Sequence, residues 1–251
     1  MGDRLTGVLN GIDLAAWNPA TDPELPAQYS AAQLEGKRHC KAVLQQALGL
    51  SVRPDVPLIA MCTRLTEQKG LDLVLGGALD WAGGAQFAFL GEGEAGYAAA
   101  LERLAGDEPQ RVAAVTTFHD ALEHRLIAGA DLLMMPSRYE PCGLTQLRAM
   151  RYGAIPVAHR VGGLADTIEE GVTGFLFGEY SPAALGSALR RALDSFASPD
   201  VWHGFIHAAM ARDVGWARSA SAYTAVYRRA GRVREAREVT PRQPHLQRSE
   251  P

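Results

Sequence analysis

Cysteine is scarce in this 251-residue chain. Only Cys40, Cys62 and Cys142 occur, an odd number without CxxC spacing, which excludes a disulfide framework and a cysteine-rich zinc site. Charge of one sign is lacking too: 25 Lys+Arg stand against 28 Asp+Glu, a formal net charge of −3. No concentrated basic face follows from that balance, so no nucleic-acid partner is expected. No apolar run approaches the roughly 18–20 residues of a membrane span. Met1-Gly2-Asp3-Arg4-Leu5 lacks the apolar stretch of a signal peptide, so no membrane partner and a cytoplasmic address are expected. The opening Gly2, with Thr6, meets the bare myristoylation pattern, one that chance meets easily. Histidines are scattered: His203 and His207 stand four apart but lack the H-E-x-x-H glutamate and read as a surface helix pair, so no metal is expected. What the chain does have is 47% hydrophobic and 21% charged residues. That composition supports a packed core in one large domain or two small ones.

Residues 1–50 read as a lead-in, with a turn at Asn10-Gly11, a proline-punctuated stretch from Trp17 to Pro23 and a helix over about 31–48 stopped by Gly49. From Pro57 the rhythm changes. Short apolar runs at 58–62, 86–90, 111–116, 132–135 and 155–158 predict strands, and the intervening 71–81, 97–104, 121–128 and 144–151 predict helices. Such alternation specifies βαβ units, and runs such as Leu132-Leu133-Met134-Met135 suit strands covered on both faces. The expected fold is α/β, a doubly wound parallel sheet of Rossmann type. Helices over about 182–197, 200–211 and 216–229 follow. A disordered tail is expected over 231–251, where charge and proline replace apolar periodicity.

In such sheets ligands bind beyond the carboxyl ends of the strands, so the residues after each strand matter most. Arg64 and Lys69 follow the first strand and precede a helix. They suit convergence on one phosphate, and equally a solvated loop. Gly91-Glu92-Gly93 after the second strand is a lone G-x-G, satisfied by a tight turn. Phe118 after the third offers a ring for stacking on a base, or a core side chain. The fourth strand leads into Pro136-Ser137-Arg138-Tyr139-Glu140-Pro141-Cys142-Gly143-Leu144-Thr145-Gln146. There a helix start would leave the amides of Gly143, Leu144 and Thr145 open to an anion. Glu140 suits sugar hydroxyls, and Cys142 is either a reactive thiol or a small residue filling the turn. Gly162-Gly163 after the fifth strand permits close backbone approach, to a ligand or to a neighbouring loop.

Five segments then coincide: Leu9-Asn10-Gly11-Ile12-Asp13, Trp17-Asn18-Pro19-Ala20-Thr21-Asp22, Arg64-Leu65-Thr66-Glu67-Gln68-Lys69-Gly70-Leu71-Asp72, Pro136 to Leu147, and Gly162-Gly163-Leu164-Ala165-Asp166-Thr167. Together, from about residue 5 to 229, they closely resemble the carboxyl-terminal half of bacterial glycogen synthases and plant starch synthases. The resemblance implies a GT-B architecture and a nucleotide-sugar-binding domain over 51–230. It also implies transfer of glucose from ADP-glucose to the non-reducing end of an α-1,4-glucan with retention of configuration. It implies no cofactor and no metal, and a glucan acceptor held by an amino-terminal domain that these residues do not include. On that basis the chain would be the donor-binding half and inactive alone. Arg64 and Lys69 would hold the diphosphate and stabilise the leaving ADP. Gly143, Leu144 and Thr145 would share the phosphate, and Glu140 and Asn10 would meet the glucosyl group. Phe118 would stack on adenine, and Cys142, Gly162 and Gly163 would complete the substrate-binding set. Position 148 is Arg where many retaining GT-B enzymes carry a second Glu, so ribose recognition would come from elsewhere. Two other readings fit the residues: a non-catalytic nucleotide-binding module, and a retaining transferase that uses UDP-glucose.

Overall fold

The computed structural model describes residues 5–239. The apolar runs form six short strands: β1 (Leu58–Cys62), β2 (Gln86–Leu90), β3 (Val112–Val115), β4 (Leu132–Met135), β5 (Ile155–His159) and β6 (Phe175–Phe177). All pair in parallel, in the order β3-β2-β1-β4-β5-β6. Ala60 of β1 faces Ala88 of β2 on one side and Leu133 of β4 on the other. The strand order therefore reverses between β1 and β4, where a doubly wound sheet opens its ligand crevice. Every residue of β1, β2, β4, β5 and β6 is buried, as expected for strands covered on both faces. Only β3, at the sheet edge, is half-buried at Ala114 and Val115.

Among the described residues there are nine α-helices: α1 (Glu35–Ala47), α2 (Leu71–Leu75), α3 (Ala95–Asp107), α4 (Asp120–Gly129), α5 (Thr145–Arg151), α6 (Gly162–Thr167), α7 (Pro182–Phe196), α8 (Pro199–Met210) and α9 (Trp216–Val239), and α3 to α8 pack on the strands. Helix α7 shows how the sequence sets such an element. Ser181 caps it by accepting from the Ala184 amide, Pro182 supplies a preset first turn, and Leu185, Ala188, Leu189 and Ala192 bury one face. Beneath the sheet, Asp131 accepts from the Leu58 amide and pairs with Lys41 at 2.7 Å, tying the start of β4 to that of β1. Lys37 is buried beside them and donates to the carbonyls of Ala128 and Ala130. Burial lowers its pKa from 10.5 to about 8.

Three regions depart from the sequence expectation. The helix expected over 71–81 stops at Leu75, because Gly76-Gly77 breaks it and the chain resumes as a 3-10 turn at Ala78–Ala82. The short run Phe175–Phe177 is a sixth strand. The tail expected from residue 231 is helical as far as Val239, since Arg232 to Val239 contains mostly helix-favouring residues. Residues 240–251 lie outside the described ones. The lead-in shares the core of the α/β unit: Ile12, Trp17, Tyr29, Cys40 and Leu44 join one apolar cluster with the sheet. Its 17–22 segment is locked by Asp22, which accepts from Tyr152 Oη at 2.5 Å and meets His124 Nδ1 at 2.7 Å, while Trp17 stacks on His124.

Candidate functional site

The loops after β1 and β4 meet at the switch point and are zipped together. The Arg138 amide donates to the Gln68 carbonyl at 2.8 Å, and Gln68 Nε2 donates to the Tyr139 carbonyl at 3.2 Å. Gly70 makes this closure possible. Its φ is +79°, and a Cβ there would lie 2.0 Å from the Pro136 carbonyl oxygen. Arg138 is committed to the same seam, bridging Glu67 and Asp72 at 3.0 and 3.3 Å beneath the Tyr180 ring. Tyr180 donates to Asp72, and burial together with that bond pushes its pKa up to about 12.

Lys69 and Glu140 meet in this seam. Lys69 Nζ lies 2.6 Å from Glu140 Oε2, with the two side chains 16% and 10% exposed. Ser137 Oγ donates to the same oxygen at 3.3 Å. The Glu140 backbone is held from the β5 side: the Gly163 amide donates to its carbonyl at 3.0 Å. A Cβ on Gly162 would come within 2.2 Å of that carbonyl oxygen, and one on Gly163 within 2.0 Å of the Cys142 carbonyl oxygen. The paired glycines therefore serve a loop-to-loop approach here. Gln146 Nε2 donates to the carbonyls of Cys142 and Gly143 and to Thr167 Oγ1, fixing the turn into α5. Among the described residues, the amides of Gly143, Leu144 and Thr145 donate to no protein acceptor. Asn10 reaches the turn through its backbone, its amide donating to Cys142 Sγ at 3.4 Å.

Beside the seam lies a cleft of about 300 Å³ lined by Cys62, Thr63, Arg64, Glu92, Phe118, Glu123, Thr145 and Arg148. Three expected residues, Arg64, Phe118 and Thr145, share this wall. Arg64 is exposed, and among the described residues its guanidinium hydrogen-bonds only to Gln68, at 3.4 Å. Phe118 is 38% exposed, so its ring is presented at the surface and not spent on the core. Cys62 is buried, and burial followed by the nearby Glu123 charge raises its thiol pKa. The G-x-G after β2 is a packing turn, since a Cβ on Gly91 would strike the Thr63 carbonyl. Glu123 and Arg148 were not among the expected residues. They pair at 2.7 Å across the cleft floor, and the Arg148 guanidinium lies 4.2 Å from the Trp17 ring centroid. Each lies on a helix that follows a strand, Glu123 in the first turn of α4 and Arg148 in the short α5, and that placement was the available signal. Among the described residues no group of three His, Cys, Asp or Glu side chains is arranged to hold a metal ion.

The family model described as glycosyl transferases group 1 matches residues 56–195, more than half of the chain. The chain belongs to the group 1 glycosyltransferases. It is 52% identical over 231 residues to the glycogen synthase of Anaeromyxobacter dehalogenans strain 2CP-1, covering 89% of this chain and 48% of that protein. To the glycogen synthase of Serratia proteamaculans it is 44% identical, over 90% of this chain and 50% of the relative. Among solved structures, the catalytic domain of starch synthase IV from Arabidopsis thaliana, bound to ADP and acarbose, superposes with a TM-score of 0.80 at 36% identity. That match covers 89% of this chain and 48% of the other. Sucrose-phosphate synthase from Thermosynechococcus elongatus shares the fold, with a TM-score of 0.64 at 22% identity. The chain thus spans about half the length of the curated relatives it matches. In fold, this group 1 member corresponds to the carboxyl-terminal, Rossmann-like half of GT-B glycosyltransferases.

Proposed function

We propose that the chain is the donor-binding half of a glycogen (starch) synthase, holding ADP-glucose for transfer of glucose to the non-reducing end of an α-1,4-glucan. The observation that carries this reading is the joining of the two switch-point loops. They set Lys69 against Glu140 in a seam bordering a cleft that Arg64, Thr145 and Phe118 line. The ADP bound in the starch synthase IV structure supports the choice of an adenine nucleotide.

In this reading Arg64 and Lys69 grip the diphosphate and offset the negative charge that grows on departing ADP, as fixed cations do without reorganising. Lys69 shares its charge with Glu140, so the ion pair holds the ammonium in place before a ligand arrives. Glu140 then orients glucosyl hydroxyls as an acceptor, and the amides at Gly143, Leu144 and Thr145 add donors to the phosphates. Phe118 stacks on the adenine. Asn10 and Cys142, with Gly162 and Gly163 behind them, shape the glucosyl side. The scheme assigns charge stabilisation to protein cations and gives no step to a metal. The acceptor glucan belongs to the other half of the synthase, so the isolated chain is inactive in transfer. A cytoplasmic address belongs to the same reading and accords with three free cysteines.

Isothermal titration tests it. ADP should bind the chain more tightly than UDP, and Arg64→Ala should weaken ADP by about tenfold or more, the usual cost of a charge-assisted contact. Equal affinity in wild type and Arg64→Ala would contradict the assignment. Labelled glucose transferred to glycogen by the isolated 251 residues would contradict the division of labour.

A further inference from the structure

The cleft holds one ion pair that the donor scheme does not use. Arg148 Nη1 lies 2.7 Å from Glu123 Oε1, with side-chain exposures of 24% and 8%. Both groups are clamped. Glu123 extends from the first turn of α4, and the Arg148 guanidinium is pressed against the Trp17 ring. The opposite charges cancel, so the pair adds little to the attraction of a phosphate. Stability alone is a poor account of it, because Arg148 Nε is left buried without an acceptor, an arrangement that costs free energy.

The carboxylate has capacity to spare. Glu123 Oε1 is taken by Arg148, and among the described residues no group donates to Oε2. An ionised carboxylate only accepts, so whatever completes it must bring an O–H or N–H. The neighbours define where that donor lies. Arg64 and Thr145 offer the cleft to phosphate, and Phe118 offers it a flat ring. Between the phosphates and the base of a nucleoside diphosphate stands the ribose, which carries two hydroxyl donors.

We infer that Glu123, held by Arg148, is the acceptor of this site that recognises a ribose hydroxyl, so that a nucleotide lacking that hydroxyl binds more weakly. Arg148 is a positioning residue: it fixes the carboxylate in place. The inference rests on the donor reading above.

Titration of the chain with ADP, 2′-deoxy-ADP and 3′-deoxy-ADP tests it without a variant. ADP should bind about tenfold or more tighter than at least one deoxy analogue, the discrimination expected when a charged acceptor loses its donor. In Glu123→Gln that gap should shrink to less than about threefold, through weaker ADP binding. Arg148→Lys should keep more of the gap than Arg148→Met. Glu92→Gln, at an exposed carboxylate on the same cleft, should leave it intact. Equal binding of all three nucleotides to the wild type would overturn the ribose assignment while sparing the donor reading. So would an undiminished gap in Glu123→Gln, or a gap lost in Glu92→Gln. No binding of ADP at all would overturn both.

Discussion

Lys69 is the residue whose two descriptions diverge most usefully. It is a partner in a nearly buried ion pair, and it is assigned to the diphosphate. Lys69→Met removes the cation and leaves the Glu140 carboxylate, 10% exposed, with only the Ser137 hydroxyl at 3.3 Å. Stranding a charge in that setting should cost about 2–4 kcal/mol, toward the lower end because the site is not fully sealed. Glu140→Gln leaves Lys69 an amide oxygen to bond, and should cost about 1–2 kcal/mol. The double variant should be less destabilised than the sum, with a coupling of about 1–3 kcal/mol in urea unfolding. Affinity should not follow stability. ADP carries no glucose, so it has no use for Glu140. Lys69→Met should weaken ADP by about tenfold or more. Glu140→Gln replaces the competing anion beside the ammonium with a neutral amide and should bind ADP at least as tightly as the wild type. If both variants weaken ADP by the same factor, Lys69 acts only through the ion pair and the phosphate assignment is wrong.

Lys37 gives a pH dependence of known sign. Its pKa is about 8 in the fold against 10.5 ordinarily, so between those values the unfolded chain holds the extra proton and stability rises with pH. The rise is at most about 3 kcal/mol, and it should appear as the difference between wild type and Lys37→Met in urea unfolding from pH 8 to 10.5. A flat difference would mean that the buried ammonium is not desolvated. Gly70→Ala forces a left-handed residue and a contact 2.0 Å from the Pro136 carbonyl. It should cost about 2–3 kcal/mol and lower ADP affinity together, since it parts the two loops. A variant with wild-type unfolding and affinity would show that the loops do not need this closure.

The strands were legible because parallel strands covered on both faces read as near-continuous apolar runs, as at 58–62 and 132–135, set between turn residues at regular spacing. The broken helix after Leu71 was less so. Leu71, Val74, Leu75 and Leu79 keep a helical period across Gly76-Gly77, and periodicity does not register two adjacent glycines ending a helix. β6 escaped because three residues are too few to show a pattern. At the site, Arg64, Lys69 and Glu140 were visible as polar residues after strands. Their pairing was not, since only the fold brings residues 69 and 140 to 2.6 Å. Glu123 and Arg148 lie within helices, where a charge ordinarily faces solvent. Only the packing of α4 beside α5 turns them toward a common cleft.

A structure of the chain with ADP bound tests the central claim most directly. The phosphate oxygens should lie within hydrogen-bond distance, about 3 Å, of both the Arg64 guanidinium and Lys69 Nζ, with the adenine against Phe118. ADP seated elsewhere, or in the cleft with neither cation on a phosphate, would contradict it.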